Sequence, residues 1–279
     1  MKSIGSAGKT FSIQEIHSAA DLERTRGEAD IYAFPSAKRG KYITGIAGTR
    51  RCVEEALRLR FKVFNIELGE GLDSSRETGL DEDEFDDQMT HLVLFHKRSG
   101  ELVGTYRMQT VTQAMAAGGI YSAREYDLEQ LEPYFDKLVE LGRACLAVEH
   151  RKLAAIINLW LGIGGFMNLH NSRYLFGCCS LTSANPDDGW RALKTIRRKG
   201  YLHPELLLPA KEAYSCGPAS RENDPELSAI PLPKLFRAYI RIGSEVISEP
   251  AIDREFGTVD FLVLLDGYRV KKKTLDVLG

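Results

Sequence analysis

Apolar residues along this chain of 279 residues recur at two different spacings, and each spacing predicts one kind of element. Over residues 50–68 they fall on one face at the 3.6-residue period of a helix. Over residues 91–96 and 102–108 they form short runs on either side of a Ser99-Gly100 turn, which predicts a β-hairpin. The helical stripe consists of Val53, Ala56, Leu57, Phe61 and Phe64.

A strand candidate over residues 138–148 carries two charges, which a buried strand tolerates only when they are paired or used. Glu140 and Arg143 would point to opposite faces of a regular strand, because side chains alternate. Gly142 lies between them and is typical of a β-bulge, which shifts the alternation by one residue. We therefore predict a bulge that brings both side chains to the same face.

The rest of the chain contains further predicted strands and helices, together with weakly patterned segments. Residues 1–48 are weakly patterned and are expected to form an arm with one strand near Tyr42. Residues 204–225 are predicted to be a loop. The other predicted elements are helices over 128–135, 153–174 and 190–199, strands over 174–182 and 258–266, and an amphipathic segment over 235–247.

Composition and charge exclude several classes of protein. A hydrophobic content of 43% suffices for a full core, and 37 basic against 39 acidic residues give no nucleic-acid signature. No uncharged apolar run reaches the length of a membrane span, and the N-terminus lacks the apolar segment of a signal peptide. Five cysteines without a CxxC motif favour reduced thiols in the cytoplasm. The six histidines are scattered, so no metal site is predicted.

Residues 67–87 contain ten carboxylates and a single base, Arg76, which predicts a solvated acidic loop. The end of this loop is more specific, since Asp83 and Asp86 directly precede the first strand of the hairpin. They would either hold the amine of a substrate or open the strand with an Asx turn. Arg107, inside the second hairpin strand, needs a carboxylate partner or an anionic ligand.

Six segments of the chain, taken in their order along the sequence, resemble segments of the GNAT superfamily. The resemblance is strongest to the acyl-carrier-protein-dependent branch of that superfamily. That branch includes acyl-homoserine-lactone synthases, long-chain N-acyl amino acid synthases and ornithine-lipid N-acyltransferases, and residues 249–261 are most similar to the last group. The five shorter segments are Arg60-Phe-Lys-Val-Phe64, Asp83-x-x-Asp86, Val103-Gly-Thr-Tyr-Arg107, Glu140-Leu-Gly-Arg143 and Gly177-Cys-Cys-Ser180.

The resemblance covers about residues 50–266 and implies an α/β fold with a GNAT-like mixed, splayed β-sheet flanked by helices. On this basis we expect three parts of the chain. They are an N-terminal arm over 1–48, the acyltransferase core over 49–185, and a C-terminal extension over 186–279 that completes the same domain.

The resemblance also implies N-acyltransfer of a long-chain, 3-hydroxylated acyl group from acyl carrier protein to the α-amine of ornithine. The donor would be the phosphopantetheine thioester of the carrier protein, with no bound cofactor. Acetyl-CoA-dependent GNAT enzymes place a glycine-rich loop after the central strand to bind a pyrophosphate, whereas residues 151–156 contain no glycine. The open alternatives are a synthase acting on another amino acid such as glycine, a homoserine-lactone synthase, and a non-catalytic module that binds the carrier protein.

Candidate site residues follow from the attack of an amine on a thioester, which needs a base and an oxyanion donor. Glu140 is the first candidate for the base or for the residue that orients it, with Arg143 as its partner. An ion pair of Glu140 with Arg107 or Arg143 is the structural alternative, and Asp83, His150 or a water molecule is the alternative base. The predicted substrate-binding residues are Asp83, Asp86, Arg107 and Arg60, and the predicted oxyanion donors are the backbone N–H groups of Leu146 and Ala147.

The helix over 190–199 is the predicted docking surface for the acidic carrier protein. Its cations could equally be solvated, or lie with Trp190 on an anionic membrane that receives the lipid product. An acyl channel is expected between the strands over 138–148 and 174–182, lined from Phe166, Leu175 and Phe176. The enzyme is expected in the cytoplasm, with a peripheral contact at the inner face of the membrane left open. The docking cations are Arg191, Lys194, Arg197 and Arg198.

Overall fold

The computed structural model describes residues 23–25, 31–34 and 40–270. These residues build one ten-stranded sheet in the order β1-β2-β3-β4-β5-β6-β7-β10-β8, with β9 pairing with β10. All neighbouring strands are antiparallel except β6 and β7, which are parallel. The strands are β1 (Glu23–Thr25), β2 (Ile31–Ala33), β3 (Tyr42–Ala47), β4 (Thr90–His96), β5 (Leu102–Thr110), β6 (Leu138–Leu146), β7 (Tyr174–Leu181), β8 (Glu245–Val246), β9 (Ala251–Asp253) and β10 (Thr258–Asp266).

Six α-helices accompany the described strands, and their ends follow local signals. Thr49 caps α1 by accepting from the backbone N–H of Cys52, and α1 continues as a π-helix over Lys62–Leu68. Asn185 caps α5 by accepting from the N–H of Asp187, with Pro186 at the first helical position. The helices are α1 (Arg50–Phe61), α2 (Ser75–Thr78), α3 (Val111–Met115), α4 (Leu153–Leu169), α5 (Pro186–Arg198) and α6 (Lys234–Arg241).

The predicted elements are largely confirmed, and the differences lie at element ends. The hairpin, the central strand and the helices over 153–174 and 190–199 are present as β4–β5, β6, α4 and α5. The segment over 235–247 is helical only to Arg241, because Gly243 adopts a φ of 105° that ends the helix before β8. Most of the predicted N-terminal arm lies outside the described residues.

Helices cover both faces of the sheet. On one face, here called the α1 face, Cys52 and Ala56 of α1 pack against Val93 and Phe95. On the other, the α4 face, residues of α4 pack on the main core. Gly162 of α4 lies so close to Thr44 and Leu92 that a Cβ at this position would clash with their side chains. The α4 face also carries α5, whose Trp190, Leu193 and Ile196 join one core cluster with Val259 and Phe261 of β10.

The C-terminal part of the chain belongs to the same sheet as the core. Eight residue pairs join β10 to β7, from Val259↔Leu181 to Asp266↔Tyr174. β10 therefore lies in the same sheet as the strands of the core, while the division of the chain at residues 48 and 185 stays a prediction. Among the described residues, no helix combines the length and apolar composition needed to cross a bilayer.

The two parallel strands separate soon after they start. They pair only at Leu138↔Tyr174, Val139↔Leu175 and Glu140↔Phe176. Beyond this point residues 141–144 of β6 change from buried to partly exposed, and an added Cβ at Gly177 would collide with the carbonyl oxygen of Leu141. We call the opening between β6 and β7 the cleft; it matches the predicted splay.

The predicted bulge in β6 is confirmed. Thr105 pairs with Cys145 and Arg107 pairs with Gly142, so two residues of β6 lie opposite Tyr106 alone. Arg143, the first of the two, has a φ of 47°, which is uncommon for any residue but glycine. The bulge therefore lies at Arg143 and Ala144, directly after Gly142.

Candidate active site

Three arginines and three aspartates form a closed ring of ion pairs beside the bulge, here called the ion-pair ring. Each arginine contacts two aspartates and each aspartate contacts two arginines. The arginines come from α1, β5 and β6, and the aspartates come from the loop before β4. The six contacts are Arg60–Asp81 (2.5 Å), Asp81–Arg143 (3.3 Å), Arg143–Asp83 (2.9 Å), Asp83–Arg107 (2.5 Å), Arg107–Asp86 (3.1 Å) and Asp86–Arg60 (2.6 Å).

The ring is buried and electrically balanced. Its side chains are between 0% and 9% exposed. Burial alone would raise the pKa of Asp83, but Arg107 and Arg143 hold it below the ordinary value. Burial opposes Arg107 and Arg60 in the same way at Asp86, whose pKa is also lowered. Asp83 and Asp86 therefore stay ionised at neutral pH, as partners of the arginines.

The ring changes the interpretation of the acidic loop. Asp81 is fully buried, so the expectation of a solvated charge run is wrong for this residue. Asp83, Asp86, Arg107 and Arg60 were predicted to hold the substrate, and here their charges are directed at one another. Direct contact of these four with an acceptor stays a prediction.

Two aromatic rings enclose Arg143 at the edge of the ion-pair ring. Its guanidinium carbon lies 5.3 Å from the ring centre of Tyr121 and 4.4 Å from that of Phe256. Its Nη1 also donates to the Tyr121 hydroxyl at 3.3 Å. Tyr121 further lies 5.1 Å from the guanidinium of Arg107, so cation–π contacts join it to two members of the ion-pair ring.

Glu140 is buried and fully hydrogen-bonded, but not by an arginine. It accepts from Gln109 Nε2 (2.8 Å), from the backbone N–H groups of Tyr121 (3.0 Å) and Ser122 (2.7 Å), and from the Ser122 hydroxyl. The alternative of an ion pair with Arg107 or Arg143 is therefore wrong within the part of the chain described. Glu140 fixes the backbone of Tyr121 while Arg143 binds its hydroxyl, so both side chains act on the same side of β6.

A second polar cluster lies on the same face, across the cleft. A carboxylate oxygen of Glu125, a carboxylate oxygen of Asp260 and the sulfur of Cys178 lie within 4.8 Å of one another. Burial raises the pKa of Asp260 to about 6, and burial with Asp260 as neighbour raises the pKa of Glu125 well above its ordinary value. No sequence pattern marks this cluster, because Glu125 lies in an irregular segment and Asp260 is a single polar position in an apolar strand.

The backbone of β6 distinguishes the two predicted oxyanion donors. The N–H of Ala147 is already bonded to the carbonyl oxygen of Val103 (2.9 Å), so the assignment of Ala147 is wrong. Backbone groups of successive residues in an antiparallel strand point to opposite edges. The N–H of Leu146 therefore points away from β5, into the cleft. The carbonyl of Leu146 accepts from Arg151 Nε (3.0 Å), and Arg151 also pairs with Glu67.

A pair of tyrosine hydroxyls lies on the α4 face of the cleft. Tyr106, opposite the bulge, and Tyr239 of α6 share a hydrogen bond of 2.8 Å. Burial raises the pKa of Tyr106 to about 12, so it remains protonated. The predicted acyl-channel residues Phe166, Leu175 and Phe176 are all buried core side chains, and Leu175 and Phe176 lie at the paired end of β6 and β7, outside the cleft.

His150, an alternative base, belongs to a different group of side chains. Its Nδ1 lies 3.1 Å from the hydroxyl of Tyr42, and its ring centre lies 5.0 Å from that of His96. Burial and then the neighbouring His96 lower its pKa. These neighbours link His150 to β3 and β4 rather than to the ion-pair ring.

The predicted docking helix is α5, and most of its cations bind the chain itself. Arg191 donates to the carbonyl of Ser228 (3.0 Å), Lys194 to that of Leu227 (2.8 Å), and Arg197 pairs with Glu222. Trp190 is 1% exposed and donates to the carbonyl of Cys216, so a membrane contact through Trp190 is wrong. Arg198 is exposed.

A surface cavity of about 380 Å³ lies at the other end of the sheet, where β6 and β7 are paired. None of its lining residues belongs to the ion-pair ring or to the second cluster. The residues that line it are Pro133, Tyr134, Asp136, Lys137, Asn171, Arg173, Tyr174 and Tyr268.

Comparison with known proteins places this arrangement in a family. Residues 59–161, which include the end of α1, the ion-pair ring and β6, match the acetyltransferase (GNAT) domain. The chain is 31% identical over 229 residues to an L-ornithine N(alpha)-acyltransferase of Rhodobacter capsulatus, covering 79% of this chain and 88% of the relative. It is 29% identical over 249 residues to the enzyme of that name from Brucella abortus, covering 84% and 87%.

Among solved structures, FeeM, an N-acyl amino acid synthase from uncultured soil microbes, aligns with a TM-score of 0.49 at 13% identity, covering 83% of this chain and 95% of FeeM. From the splayed sheet, the GNAT domain match and the identity over most of both chains, we conclude that this protein is an acyltransferase and belongs to the L-ornithine N(alpha)-acyltransferase family.

Proposed function

We propose that this enzyme transfers a long-chain 3-hydroxyacyl group from acyl carrier protein to the α-amine of L-ornithine, giving lyso-ornithine lipid. The observation that carries the proposal is that four curated relatives, 26–31% identical over most of the chain, have the same ornithine acyltransferase name. The reaction would take place in the cytoplasm, at the inner face of the membrane that receives the product.

The thioester carbonyl would lie in the cleft with its oxygen at the N–H of Leu146. An N–H that points into a partly closed site and is held by the strand can stabilise the oxyanion that forms on attack. The phosphopantetheine arm is an extended amide chain. The backbone groups of β6 beyond Glu140 face no paired strand on the cleft side among the residues that the structure describes. Both features suit an arm that lies along the open edge of β6.

Proton transfers can be assigned to groups that line the cleft. The Tyr106–Tyr239 hydroxyl pair is protonated at neutral pH and would supply a proton to the departing thiolate. Glu140 and Arg143 act on Tyr121 from two sides, so we assign Glu140 as a positioning residue that orients this side of the site. A water molecule would then carry the proton of the attacking amine to the tyrosinate that this transfer leaves, so that the hydroxyl pair is protonated again.

The carrier protein is the proposed donor because the turn after β6 is not built to hold a pyrophosphate. Residues 148–152 contain no glycine, and the side chain of Arg151 is engaged by Leu146 and Glu67. Docking on α5 stays a proposal that now rests on Arg198, since Arg191, Lys194 and Arg197 are bound by residues 222–228. A steering effect there would be screened by salt.

The test is product analysis by mass spectrometry, with acyl carrier protein and acyl-CoA compared as donors and a mixture of amino acids as acceptors. We expect N-acyl-ornithine as the main product and turnover with the carrier protein at least tenfold faster. Equal turnover with both donors would overturn the donor assignment. N-acylation of glycine or another amino acid in preference to ornithine would overturn the acceptor assignment.

A further inference from the structure

Ornithine differs from most amino acids by a second ammonium group, which an enzyme must neutralise if it removes the side chain from water. We propose that Glu125 and Asp260, here called the carboxylate pair, form the subsite that binds the side-chain ammonium of a diamino acid acceptor. The inference rests on the proposed function and names the part of the site that would select its substrate.

Unpartnered buried oxygen atoms are the main observation. Oε2 of Glu125 and Oδ1 of Asp260 are inaccessible to solvent and have no hydrogen-bond partner among the described residues. The two residues are 1% and 5% exposed. Buried polar atoms are nearly always hydrogen-bonded in native proteins, so two orphans on converging carboxylates indicate a missing donor. An ammonium group carries three donors and a positive charge, which matches both needs.

The carboxylate pair lies close beneath the surface of the cleft. Asp260 pairs with Ser180 across β7 and β10, and Ser180 is exposed. Cys178, the third member of the cluster, is partly exposed and lies on the same face two residues earlier. These positions follow the last pair between β6 and β7, so they face the opening and not the packed end of the sheet.

The separation from β6 suits the side-chain amine better than the α-amine. Asp260 is on β10, two strands from β6 in the sheet, so it lies on the order of 10 Å from that strand at the usual spacing. The α-amine must reach a thioester held at the edge of β6. Ornithine has three methylene groups between its α-carbon and its second nitrogen, which can span most of the remaining distance to the carboxylate pair.

Electrostatics favour an ammonium ion over a metal ion at this place. Burial raises the pKa of both carboxyls, and so does a negative neighbour of each, Asp260 beside Glu125 and Asp253 beside Asp260. A bound cation would relieve this repulsion. Burial also raises the pKa of the Cys178 thiol well above its ordinary value, so the thiol stays protonated. Metal ions bind the thiolate form, whereas an ammonium group needs only the carboxylates.

The experiment compares ornithine with 2-aminopentanoate, which has the same carbon skeleton without the side-chain amine. For the unmodified enzyme we expect kcat/KM to favour ornithine by on the order of a thousandfold or more, because a site built for a polar group rejects its apolar analogue. Asp260→Asn and Glu125→Gln should each reduce this preference about tenfold or more. The control Asp266→Asn, on the same strand but paired with Arg173 at the far end, should leave it unchanged.

The outcomes separate this inference from the proposed function. If the unmodified enzyme acylates neither compound, the proposed function fails. If it prefers ornithine and both variants keep that preference while remaining folded, the subsite is wrong. A melting-temperature rise with Zn²⁺ or Mg²⁺ that Asp260→Asn abolishes, at unchanged preference for ornithine, would make the cluster a metal site and overturn the inference. Melting curves without ligand show whether each variant is folded.

Discussion

Every charged side chain in the ion-pair ring contacts two neighbours of opposite sign. Because the ring is buried, water cannot take the place of a lost neighbour. Removing one member therefore leaves two buried charges with half of their partners. Buried ion pairs add little net stability over an apolar core, but breaking one by deleting a single partner is costly. The ring should accordingly be far more sensitive to single substitutions than the exposed carboxylates of the same acidic loop.

Asp81→Asn tests this at a member of the ring that no sequence pattern marks. The change keeps the shape of the side chain and leaves Arg60 and Arg143 without one of their carboxylates. We expect the free energy of unfolding to fall by roughly 3–5 kcal/mol, as for other broken buried pairs. Chemical denaturation measures it. The control is Asp73→Asn in the same loop, whose carboxylate is fully exposed, and which should change stability by less than about 0.5 kcal/mol.

Glu140→Gln separates a positioning residue from a general base. The NH2 of the new amide would face an N–H group that now donates a hydrogen bond to Glu140. The backbone of Tyr121 and Ser122 should therefore shift. We expect a stability loss of about 1–3 kcal/mol and a raised KM for ornithine.

A general base would give a different result. In that case kcat would fall about a hundred- to ten-thousandfold and recover partly at high pH, while KM stayed nearly constant. The matched control is Glu149→Gln, an exposed carboxylate beyond the end of β6, which should affect neither constant.

The sequence predicts that a charged residue in an apolar strand has a role, but it does not identify the partner of that residue. Charges inside apolar strands marked Glu140, Arg107 and Arg143 as paired or functional, and the structure pairs both arginines within the ion-pair ring. Which groups pair with which depends on long-range contacts that no local pattern contains. Asp81 and Asp260 were missed for this reason, since each looks ordinary in its own segment.

At the scale of elements, the candidate active site depends on two irregularities of β6, which are its bulge and its early separation from β7. β6 has a bulge at Arg143 and Ala144 in its pairing with β5, and after Glu140 no described strand pairs with its other edge. The bulge was predictable, because two charges flank a glycine. The separation from β7 was expected only through the resemblance, because the run over 174–182 is as apolar as any paired strand.

Gly177 marks the point where β7 must leave β6, and its substitution tests the cleft. Gly177→Ala would drive a Cβ into the carbonyl of Leu141, which is backbone and cannot rotate away. We expect a loss of about 1–3 kcal/mol in unfolding free energy together with a raised KM for the acyl donor.

The control for this prediction is Gly142→Ala in the facing strand. A Cβ there meets no atom within 4 Å, so both quantities should stay close to those of the unmodified enzyme. Equal effects of the two substitutions would show that the close approach at Gly177 is not what shapes the cleft.

At the scale of the whole molecule, one face of the sheet carries two clusters with opposite responses to pH. In the ion-pair ring the pKa values of Asp83 and Asp86 are lowered, so their contribution to stability is lost as the pH falls. In the carboxylate pair the pKa values are raised, so their contribution is present below the unfolded pKa and lost as the pH rises. Folding is therefore expected to be most favourable at mildly acidic pH.

Asp260→Asn provides the measurement. The carboxyl of Asp260 has a pKa of about 6 against an ordinary value of 3.8, so its titration should cost the unmodified protein stability between those pH values. Relative to the variant, we expect a loss of up to roughly 3 kcal/mol across this window and a constant difference above it. Denaturation at a series of pH values checks this. A difference independent of pH would show that Asp260 does not titrate there.

The overall architecture was the most predictable part of the molecule. A helical apolar stripe identified α1, an apolar run of helical length identified α4, and two apolar runs around the Ser99-Gly100 turn identified the hairpin β4–β5. Each of these elements buries apolar side chains in the core. The surface of α5 was less predictable. Its cations look free in the sequence, and only the fold reveals the segment over 222–228 that binds them.

The ion-pair ring also has a consequence for descent. The six residues of the ring come from α1, the loop before β4, β5 and β6. Their three positive and three negative charges cancel, so each position depends on the charge at the others. A lineage that loses an aspartate there should be retained only if it also loses an arginine, or gains a carboxylate within reach. We therefore expect these six residues to be inherited as a unit and exchanged in opposite-charge pairs.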